Sequence, residues 1–332
     1  MEINKISPKE KRNISCKRFE RIFLFLVWIL ILVVSPFCSK KSSELLTING
    51  GVLKRGILNP GNPDQSPIHE VRVSSFLYQS KLVTIVDFEK FQLTTGHITT
   101  AEKKGYCMTA TEGMKDWEWE KKEGANYKYP FGQSTNPETT PKPDLPATCL
   151  SYADAIAYCK FLGMRLPTEA EWEYAHRAGS KKRFPWGDER QRNGNYLLNY
   201  WQGITHEKAN SKDGHKYLSS VEAFPPNVWG IYDPVGNVWQ MTLDYYSKDI
   251  YQKIKTYDET NANIVLDPIV FKDRISFEKE ISSESRKFTV TRGGSWWCSD
   301  LTCNGFGLYY RGKFLEDTVF SNNGFRCARD LP

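Results

Sequence analysis

Histidine is scarce in this chain, with five residues among 332. The five are scattered, and none stands beside another at a spacing that would bring two rings to one metal ion. His69 and His97 are isolated, so each is predicted to be structural. The scarcity excludes a helical, histidine-rich iron domain and any function that depends on one.

A long apolar run is also missing. Residues 22–34 form an apolar stretch that is too short for a full membrane span but has the length of a signal-peptide core. Basic residues precede it, and Cys38 with a polar Ser/Lys stretch follows it. The pattern predicts a signal peptide of lipoprotein type over residues 1–38, with Cys38 acylated, and a linker over residues 39–48.

An uncleaved membrane anchor is the alternative to this signal peptide, because Phe37 is larger than the residue that usually precedes a lipidated cysteine. Both interpretations predict an exported protein that is attached to a membrane and faces the periplasm or the cell exterior.

A strong charge surplus is the third feature that the main part of the chain lacks. The whole chain has a net charge of +6, but residues 1–38 hold seven basic and three acidic residues. The remainder has 38 basic and 36 acidic residues, a net charge of +2. A nearly neutral body gives no electrostatic basis for nucleic-acid binding, so no nucleic-acid partner is expected.

Three helix starts are visible in the sequence. Each has a Ser or Thr followed three residues later by Asp or Glu, the capping box that satisfies backbone donors at a helix N-terminus. The pairs are Thr84 with Asp87, Ser151 with Asp154, and Thr168 with Glu171. Glycines at positions 96, 163 and 179 are the expected helix ends. The neighbouring carboxylates Glu169, Glu171 and Glu173 are explained by capping and surface roles rather than by acid–base chemistry.

Two other stretches have a recognisable pattern. Residues 69–76 alternate between apolar and polar side chains, which predicts an edge strand. Residues 247–290 are rich in Lys, Asp, Glu and Ser, which predicts a surface insertion.

Cys298 and Cys303 form a Cys-x4-Cys pair shortly after a Gly-Gly step at residues 293–294. Two sulfurs without a nearby histidine suit monovalent copper, which accepts few and soft ligands, whereas zinc would require four donors. A disulfide or two unrelated buried thiols would explain the same spacing. The pair alone therefore leaves a copper site and a structural pair open.

The context of this pair resembles the formylglycine-generating enzymes, also called sulfatase-modifying factors. Their C-terminal signature is Arg-Gly-Gly-Ser, then Cys-x4-Cys, a later Arg and a closing Asn-x-Gly-Phe-Arg-Cys. The matching residues here are Ser295, Cys298, Cys303, Arg311, Asn322 and residues 324–327. Upstream, the resemblance includes LPTEAEWEY at 166–174, FPWG at 184–187, NYWQG at 199–203, AFPPN at 223–227 and GNVW at 236–239.

This resemblance implies both a fold and an activity. The fold would be one compact α+β domain with much irregular structure, of the C-type-lectin-like kind, over residues 49–332 with an insertion at 247–290. The activity would be that of a copper-dependent oxidase, in which Cys298 and Cys303 hold copper(I) and a substrate cysteine binds as a third sulfur. Dioxygen would be the oxidant and Cα-formylglycine the product. Ser295 would hydrogen-bond near the reacting thiol, and Arg311 and Asn322 would help to hold the peptide.

The partner that the resemblance implies is an extended or unfolded polypeptide with a sulfatase-type Cys-x-Pro-x-Arg sequence, bound by a monomer. Between residues 305 and 319 the chain departs from the family pattern, and only Asp317 and the hydroxyl of Thr318 survive from the usual Thr-Pro-Asp-Ser-Ser run. The family uses this segment to contact substrate. The peptide sequence that this chain accepts is therefore open.

Calcium is also implied by the resemblance, and calcium takes six to eight hard oxygen ligands. The first set is Asn199 and Asp213 through side chains, with Tyr200 and His215 through backbone carbonyls. The second set is Asp233, Gly236, Val238 and Gln240. In that second set Gln240 stands where a Glu is expected, which removes a charge. Turns built on Asx and Gly residues would explain both sets without an ion.

The other cysteines have structural interpretations. Cys159 and Cys327 match the family's structural disulfide, which would persist outside the cytoplasm. Cys107 and Cys149 have no assignment, and pairing with each other is one alternative.

The main rival to the oxidase is a non-catalytic surface lipoprotein that uses the same fold to bind a protein or a glycan. In that case Cys298 and Cys303 would be oxidised to a disulfide.

Overall fold

The computed structural model describes residues 44–58, 62–115, 117–261, 264–270, 288–299, 301–303 and 306–331. The chain divides into two units, Met1–Ser42 and Ser43–Pro332, and the described residues belong to the second. The predicted signal peptide, Cys38 and residues 39–43 of the predicted linker lie outside the described residues. Among the described helices, none is both long and apolar enough to cross a lipid bilayer.

The helices in the described ranges are α1 (Ile85–Thr95), α2 (Thr100–Lys104), α3 (Tyr152–Phe161), α4 (Glu169–Arg177) and α5 (Ile250–Asn261). The capping boxes predicted at Thr84, Ser151 and Thr168 are present at the N-termini of α1, α3 and α4. α1 ends at Gly96 in the left-handed conformation, as predicted. A further capping box at Thr99, which was not predicted, begins α2.

The strands are short. They are β1 (Leu45–Ile48), β2 (Gly51–Arg55), β3 (His69–Val73), β4 (Phe76–Gln79), β5 (Tyr106–Thr109), β6 (Glu120–Glu123), β7 (Gln191–Arg192), β8 (Asn195–Tyr196), β9 (Trp239–Tyr245), β10 (Val265–Leu266), β11 (Phe288–Arg292), β12 (Arg311–Leu315), β13 (Asn323–Gly324) and β14 (Ala328–Asp330). The mixture of helices, small sheets and long irregular connections confirms the predicted α+β class with one compact unit.

In the described part of the chain, three sheets contain most of the strand pairing. Their strand orders are β1-β4-β14, β10-β3-β2 and β12-β11-β9-β13, and β5-β6 and β7-β8 form separate pairs. In the four-stranded sheet, β11 is antiparallel to both β9 and β12, and β13 is parallel to β9. This sheet positions the candidate site, because Arg292 ends β11 and Asn322 directly precedes β13.

The predicted linker and domain boundary need correction. Residues 45–48, assigned to the linker, form β1 and pair antiparallel with β4. Ile48 is buried in the core with 3% of its surface exposed. The folded domain therefore includes residues that were predicted to be a tether.

The segment 247–290 is more than the predicted surface insertion. In its described part, Tyr251 and Ile254 of α5 are 1% and 0% exposed and pack in the core with β3 and β4. β10 pairs in parallel with β3, so β3 is the central strand of its sheet rather than the predicted edge strand. The edge-strand prediction was wrong, and a surface location does not hold for α5 and β10, because the high charge of the segment hid one apolar helix face and a two-residue strand.

Two disulfides join distant parts of the described fold. The predicted bond between Cys159 and Cys327 is present, with a sequence separation of 168 residues. A second bond joins Cys107 of β5 to Cys149, which lies just before α3, with a separation of 42 residues. All four cysteines are fully buried.

Candidate functional site

The Cys-x4-Cys pair lies on the loop that follows β11. Gly293 and Gly294 begin this loop with φ of 96° and 78°, values that L side chains rarely adopt. A Cβ at Gly294 would lie 2.7 Å from the Cβ of Phe306. The two glycines therefore let the chain turn tightly against Phe306 and bring Ser295 and Cys298 into the interior.

Cys298 is held by the turn that it closes. Its backbone N–H donates to the carbonyl oxygen of Ser295 at 3.0 Å. The Ser295 N–H donates to the Cys298 Sγ at 3.4 Å, and the Ser295 hydroxyl lies 3.8 Å from the same sulfur. Donors that face a sulfur favour its thiolate once the thiol is free.

The sulfurs of Cys298 and Cys303 meet and form a disulfide, with the Cα atoms 5.1 Å apart. Cys298 is fully buried and Cys303 is partly exposed. Of the alternatives that the sequence leaves open, the structure shows the oxidised pair. A disulfide has no thiolate, so the pair can bind a soft metal only after reduction.

Copper(I) fits the donor set of the reduced pair. Among the described residues, no group of three or more His, Cys, Asp or Glu side chains could hold a metal ion. Within the described part of this loop, a metal would have two thiolates and no further protein ligand of that kind, a donor set that suits copper(I) and not zinc. Both cysteines pack against an aromatic cluster that includes Trp172, Phe184 and Phe306.

Asn322, which the resemblance implies to be a peptide-binding residue, also lies beside this loop. Its Nδ2 donates to the Oγ of Ser295 at 3.1 Å, and both residues are almost completely buried. The Ser295 Oγ also accepts from the Trp297 N–H at 3.3 Å. With two donors on its oxygen, the hydroxyl has its own proton left to donate toward a sulfur.

An aromatic wall, formed by Trp119, Trp201, His206 and Trp297, stands beside the loop. The rings of His206 and Trp297 stack 3.7 Å apart, and His206 Nε2 lies 2.7 Å from the Trp297 carbonyl oxygen. The rings of Trp201 and Trp297 pack edge to face, and the backbone N–H of Trp201 donates to the Cys298 carbonyl oxygen at 2.9 Å. The resemblance implies a place for Trp119 at the peptide groove, with core packing as the alternative. No role is predicted from sequence for Trp201, His206 or Trp297, although the NYWQG block contains Trp201.

Arg311 lies in a different environment from the one its predicted peptide-binding role requires. Its side chain is fully buried. The Nε and Nη2 donate to the two carboxylate oxygens of Glu169 at 2.7 and 3.0 Å, and Nη1 donates to the Ser247 carbonyl oxygen at 3.1 Å. Direct contact between this guanidinium and a bound peptide is therefore not supported by the geometry.

Two of the α4 carboxylates, Glu169 and Glu173, are buried, so the prediction of surface roles was wrong for them. They are 2% and 0% exposed. Four guanidinium groups surround them and form the buried ion cluster of Arg55, Arg177, Arg292 and Arg311 with the two glutamates. Burial alone would raise the pKa of Glu173, but Arg292, Arg177 and Arg55 together hold it well below its ordinary value.

Arg292 connects this ion cluster to the cysteine loop. It donates to Glu169 at 2.6 Å, to Glu173 at 2.9 Å and to the Leu308 carbonyl oxygen at 2.5 Å. Arg292 precedes the Gly-Gly step and Leu308 follows Cys303, so the contacts fix both ends of the loop. No local sequence pattern indicates the cluster, because Glu173 and Arg55 are 118 residues apart.

The first predicted calcium set has oxygens that lack partners. The Oδ1 of Asn199 and the Oδ2 of Asp213 are buried, and neither accepts a hydrogen bond from any described residue. Asp213 Oδ1 accepts from the His215 N–H at 3.0 Å. Burial raises the pKa of Asp213 to about 6, and backbone donors, one of them at Tyr200, partly offset this. Unpaired oxygens on a buried carboxylate and an amide fit a hard cation.

In the second predicted calcium set, the side-chain oxygen of Gln240 is not available to bind an ion. The Gln240 Oε1 already accepts from Trp172 Nε1 at 3.1 Å and from Arg326 Nε at 3.0 Å. The carbonyl oxygen of Gly236 accepts from the Val238 N–H at 2.7 Å. Arg326 is fully buried, and its Nη2 lies 3.3 Å from the Asp233 carbonyl oxygen.

One oxygen of Asp233, Oδ2, has no hydrogen-bond partner in the part of the chain that the structure describes, and burial raises the pKa of Asp233 to about 7. Arg326 thus supplies positive charge beside Asp233 in the region where the second ion was predicted. This geometry opposes the four-ligand set predicted around Gln240.

The fold and the site together define an α+β domain with paired cysteines on a loop packed against a buried ion cluster. Residues 32–331 match the family described as the sulfatase-modifying factor enzyme 1-like domain. The formylglycine-generating enzyme of Bos taurus is 33% identical over 308 residues, which cover 87% of this chain and 75% of that protein. The chain belongs to this sulfatase-modifying factor family, as the sequence predicted.

Two further similarities concern one relative in sequence and one solved structure of similar fold. The inactive Cα-formylglycine-generating enzyme 2 of Bos taurus is 35% identical over 220 residues, 61% of this chain and 71% of that protein. The structure of PvdO from Pseudomonas aeruginosa has a TM-score of 0.61 at 22% identity and covers 88% of this chain and 96% of that one. The structural likeness supports the fold, and the enzyme relatives support a formylglycine-generating function.

Proposed function

We propose that this chain, with the Cys298–Cys303 disulfide reduced, is a copper-dependent oxidase that converts a cysteine of a target polypeptide to Cα-formylglycine. The observation that carries the proposal is the arrangement at Cys298. Its sulfur meets the sulfur of Cys303 and lies 3.8 Å from the Ser295 hydroxyl, which Asn322 orients. Relatives named formylglycine-generating enzyme support the aldehyde product.

The reaction has a simple balance. Loss of one hydrogen from the β-carbon and one from the sulfur of the substrate cysteine removes two electrons and gives a thioaldehyde. Water then replaces the sulfur, which leaves the aldehyde and releases hydrogen sulfide. Dioxygen takes four electrons to form two molecules of water: two come from the substrate and two from a pair of external thiols, which become a disulfide. Copper(I), when bound, supplies the reactivity toward dioxygen.

The chain's own residues would bind the metal and orient the substrate sulfur. Cys298 and Cys303 would hold the metal, and the Ser295 hydroxyl would donate to a sulfur, because its oxygen already accepts from Asn322 and Trp297. The aromatic wall would exclude water from the reacting sulfur on the side of Trp297.

The proposal also includes a structural calcium ion, the location of the protein and its target polypeptide. A calcium ion held by Asn199, Tyr200, Asp213 and His215 would be structural. An exported, lipid-attached protein would keep its disulfides in an oxidising compartment, which agrees with the buried pairs Cys107–Cys149 and Cys159–Cys327. The target would be an extended, cysteine-containing polypeptide of the sulfatase type.

The test is turnover of a peptide. The reduced, copper-loaded protein is incubated in air with a thiol reductant and a Cys-x-Pro-x-Arg peptide, and the product is trapped as an aldehyde adduct and identified by mass spectrometry. The same peptide with Ser in place of Cys is the control. We expect an adduct from the cysteine peptide alone. Absence of aldehyde from a panel of cysteine peptides with varied flanking residues would contradict the proposal.

Two observations favour a second candidate function. Cys298 and Cys303 form a disulfide here, and a relative of the chain is named inactive. A non-catalytic surface protein would need neither free thiols nor copper, and would use the fold to bind a protein or a glycan. Binding of such a partner by the oxidised protein, unchanged in the double variant C298S/C303S, would favour this function.

A further inference from the structure

We propose that the Cys107–Cys149 disulfide is a positioning element of the cysteine site. It holds residues 319–321 in place, so that the next residue, Asn322, reaches Ser295. The proposal rests on the proposed function for its activity measurement, but its structural measurement is independent of that function.

The disulfide is packed directly against the segment that it would position. Cys107, Cys149 and Val319 belong to one small buried cluster, together with Ala101 and Ala125. Val319 is 1% exposed and both cysteines are fully buried. Movement of either cysteine would therefore open space beside Val319.

Backbone hydrogen bonds attach the segment to both halves of the disulfide. On the side of Cys107, the Met108 N–H donates to the Val319 carbonyl oxygen and the Ser321 N–H donates to the Met108 carbonyl oxygen, both at 2.9 Å. On the other side, the Cys149 N–H donates to the Phe320 carbonyl oxygen at 2.9 Å. Residues 319–321 therefore lie between β5 and the stretch around Cys149, and the disulfide links these two parts of the chain.

The conformation of Cys149 agrees with this role. Its φ is 56°, in the left-handed region that an L residue rarely adopts. Such a conformation persists only where surrounding contacts hold it. In this conformation the Cys149 N–H donates to Phe320 while its side chain bonds to Cys107.

The positioned segment leads straight into the site. Asn322 donates to the Ser295 Oγ at 3.1 Å, and its carbonyl oxygen accepts from the Trp239 N–H at 2.8 Å. The Trp296 Nε1 lies 3.4 Å from the Ser321 carbonyl oxygen. β13, which begins at Asn323, has only two residues, so regular pairing alone gives this segment little support.

The experiment compares two disulfide deletions in the full chain. In C107A/C149A we expect faster amide hydrogen exchange in the peptide covering residues 317–323 and a fall in kcat of about tenfold or more, with unchanged copper(I) affinity. The control C159A/C327A removes the disulfide that closes the longer loop, so it should lower the unfolding temperature at least as much. Below that temperature, it should leave the exchange at 317–323 and kcat unchanged.

V319A is the second variant, because it keeps both disulfides and removes only side-chain packing within the small buried cluster that contains Cys107 and Cys149. We expect the same changes in exchange and kcat, smaller in size, in a protein that remains folded. Wild-type exchange at 317–323 in C107A/C149A, or equal acceleration in the C159A/C327A control, would overturn the proposal. If the wild-type protein makes no formylglycine, the proposed function fails, and the exchange comparison alone decides the positioning role.

Discussion

Asn322 and Ser295 are joined by a buried hydrogen bond of 3.1 Å although they are 27 positions apart in the sequence. The bond links the start of the cysteine loop to the segment before β13. Because Ser295 Oγ also accepts from the Trp297 N–H, the hydroxyl proton is left for the sulfur of Cys298 or for an incoming thiol.

The two residues are expected to act as one unit. S295A removes the hydroxyl, and N322A leaves it without its orienting donor, so each should lower kcat/KM by about tenfold. The double variant should lose little more than either single variant, because both remove the same interaction. Steady-state rates of aldehyde formation by the wild type, the two single variants and the double variant measure this coupling. A loss of about a hundredfold in kcat/KM for the double variant would show that the two residues act independently and would refute it.

Glu173 is expected to be important for stability. E173Q leaves Arg55, Arg177 and Arg292 without part of their buried counter-charge, which should lower the free energy of unfolding by about 3 kcal/mol or more. E259Q is the matched control, since Glu259 also has an i,i+4 cation, Lys255, but is exposed. The free energy of unfolding of E259Q, measured with urea, should stay within about 0.5 kcal/mol of the wild-type value. Equal effects of the two variants would contradict the role of the ion cluster.

The contribution of Glu173 should depend on pH. Its pKa in the folded state is held below the ordinary value of 4.5. A carboxylate with a lowered folded pKa adds stability above its unfolded pKa and loses it as the pH falls toward the folded pKa. The difference in unfolding free energy between the wild type and E173Q should therefore be largest above pH 4.5 and shrink toward about pH 2. A difference that grows as the solution is acidified would contradict the assignment.

Gly294 is expected to tolerate no side chain. G294A combines an unfavourable φ of 78° with a Cβ only 2.7 Å from the Cβ of Phe306. G163A is the matched control, with φ of 67° and no atom within 4 Å of the added Cβ. Both should lose about 1 kcal/mol from backbone strain, and G294A should lose roughly 1–3 kcal/mol more from the steric clash. Thermal unfolding compares them, and equal losses would show that the loop can move away from Phe306.

Local signals explain the parts of the fold that sequence analysis predicted. The capping boxes at Thr84, Ser151 and Thr168 involve residues three positions apart, so their helix starts could be predicted. The Cys-x4-Cys pair is equally local. The place of Ser295 and Asn322 beside it came from resemblance and not from spacing.

Long-range packing explains the parts that were missed. Glu169 looked like a surface residue because its partner Arg311 is 142 positions away. Tyr251 was assigned to a charged insertion, yet its hydroxyl accepts from Arg55 at 3.0 Å. Charge composition cannot show which charged side chains are buried together, because that depends on where distant strands and helices meet.

The most direct measurement of the central claim is a copper(I) titration of the purified protein after mild reduction, in competition with a colorimetric chelator. The partly exposed Cys303 makes the Cys298–Cys303 bond more accessible to a mild reductant than the two fully buried disulfides. We predict tight binding of one copper ion per chain, lost in both C298S and C303S and absent from the unreduced protein. Equal copper binding by C298S, C303S and the wild type, or no binding after reduction, would contradict the account.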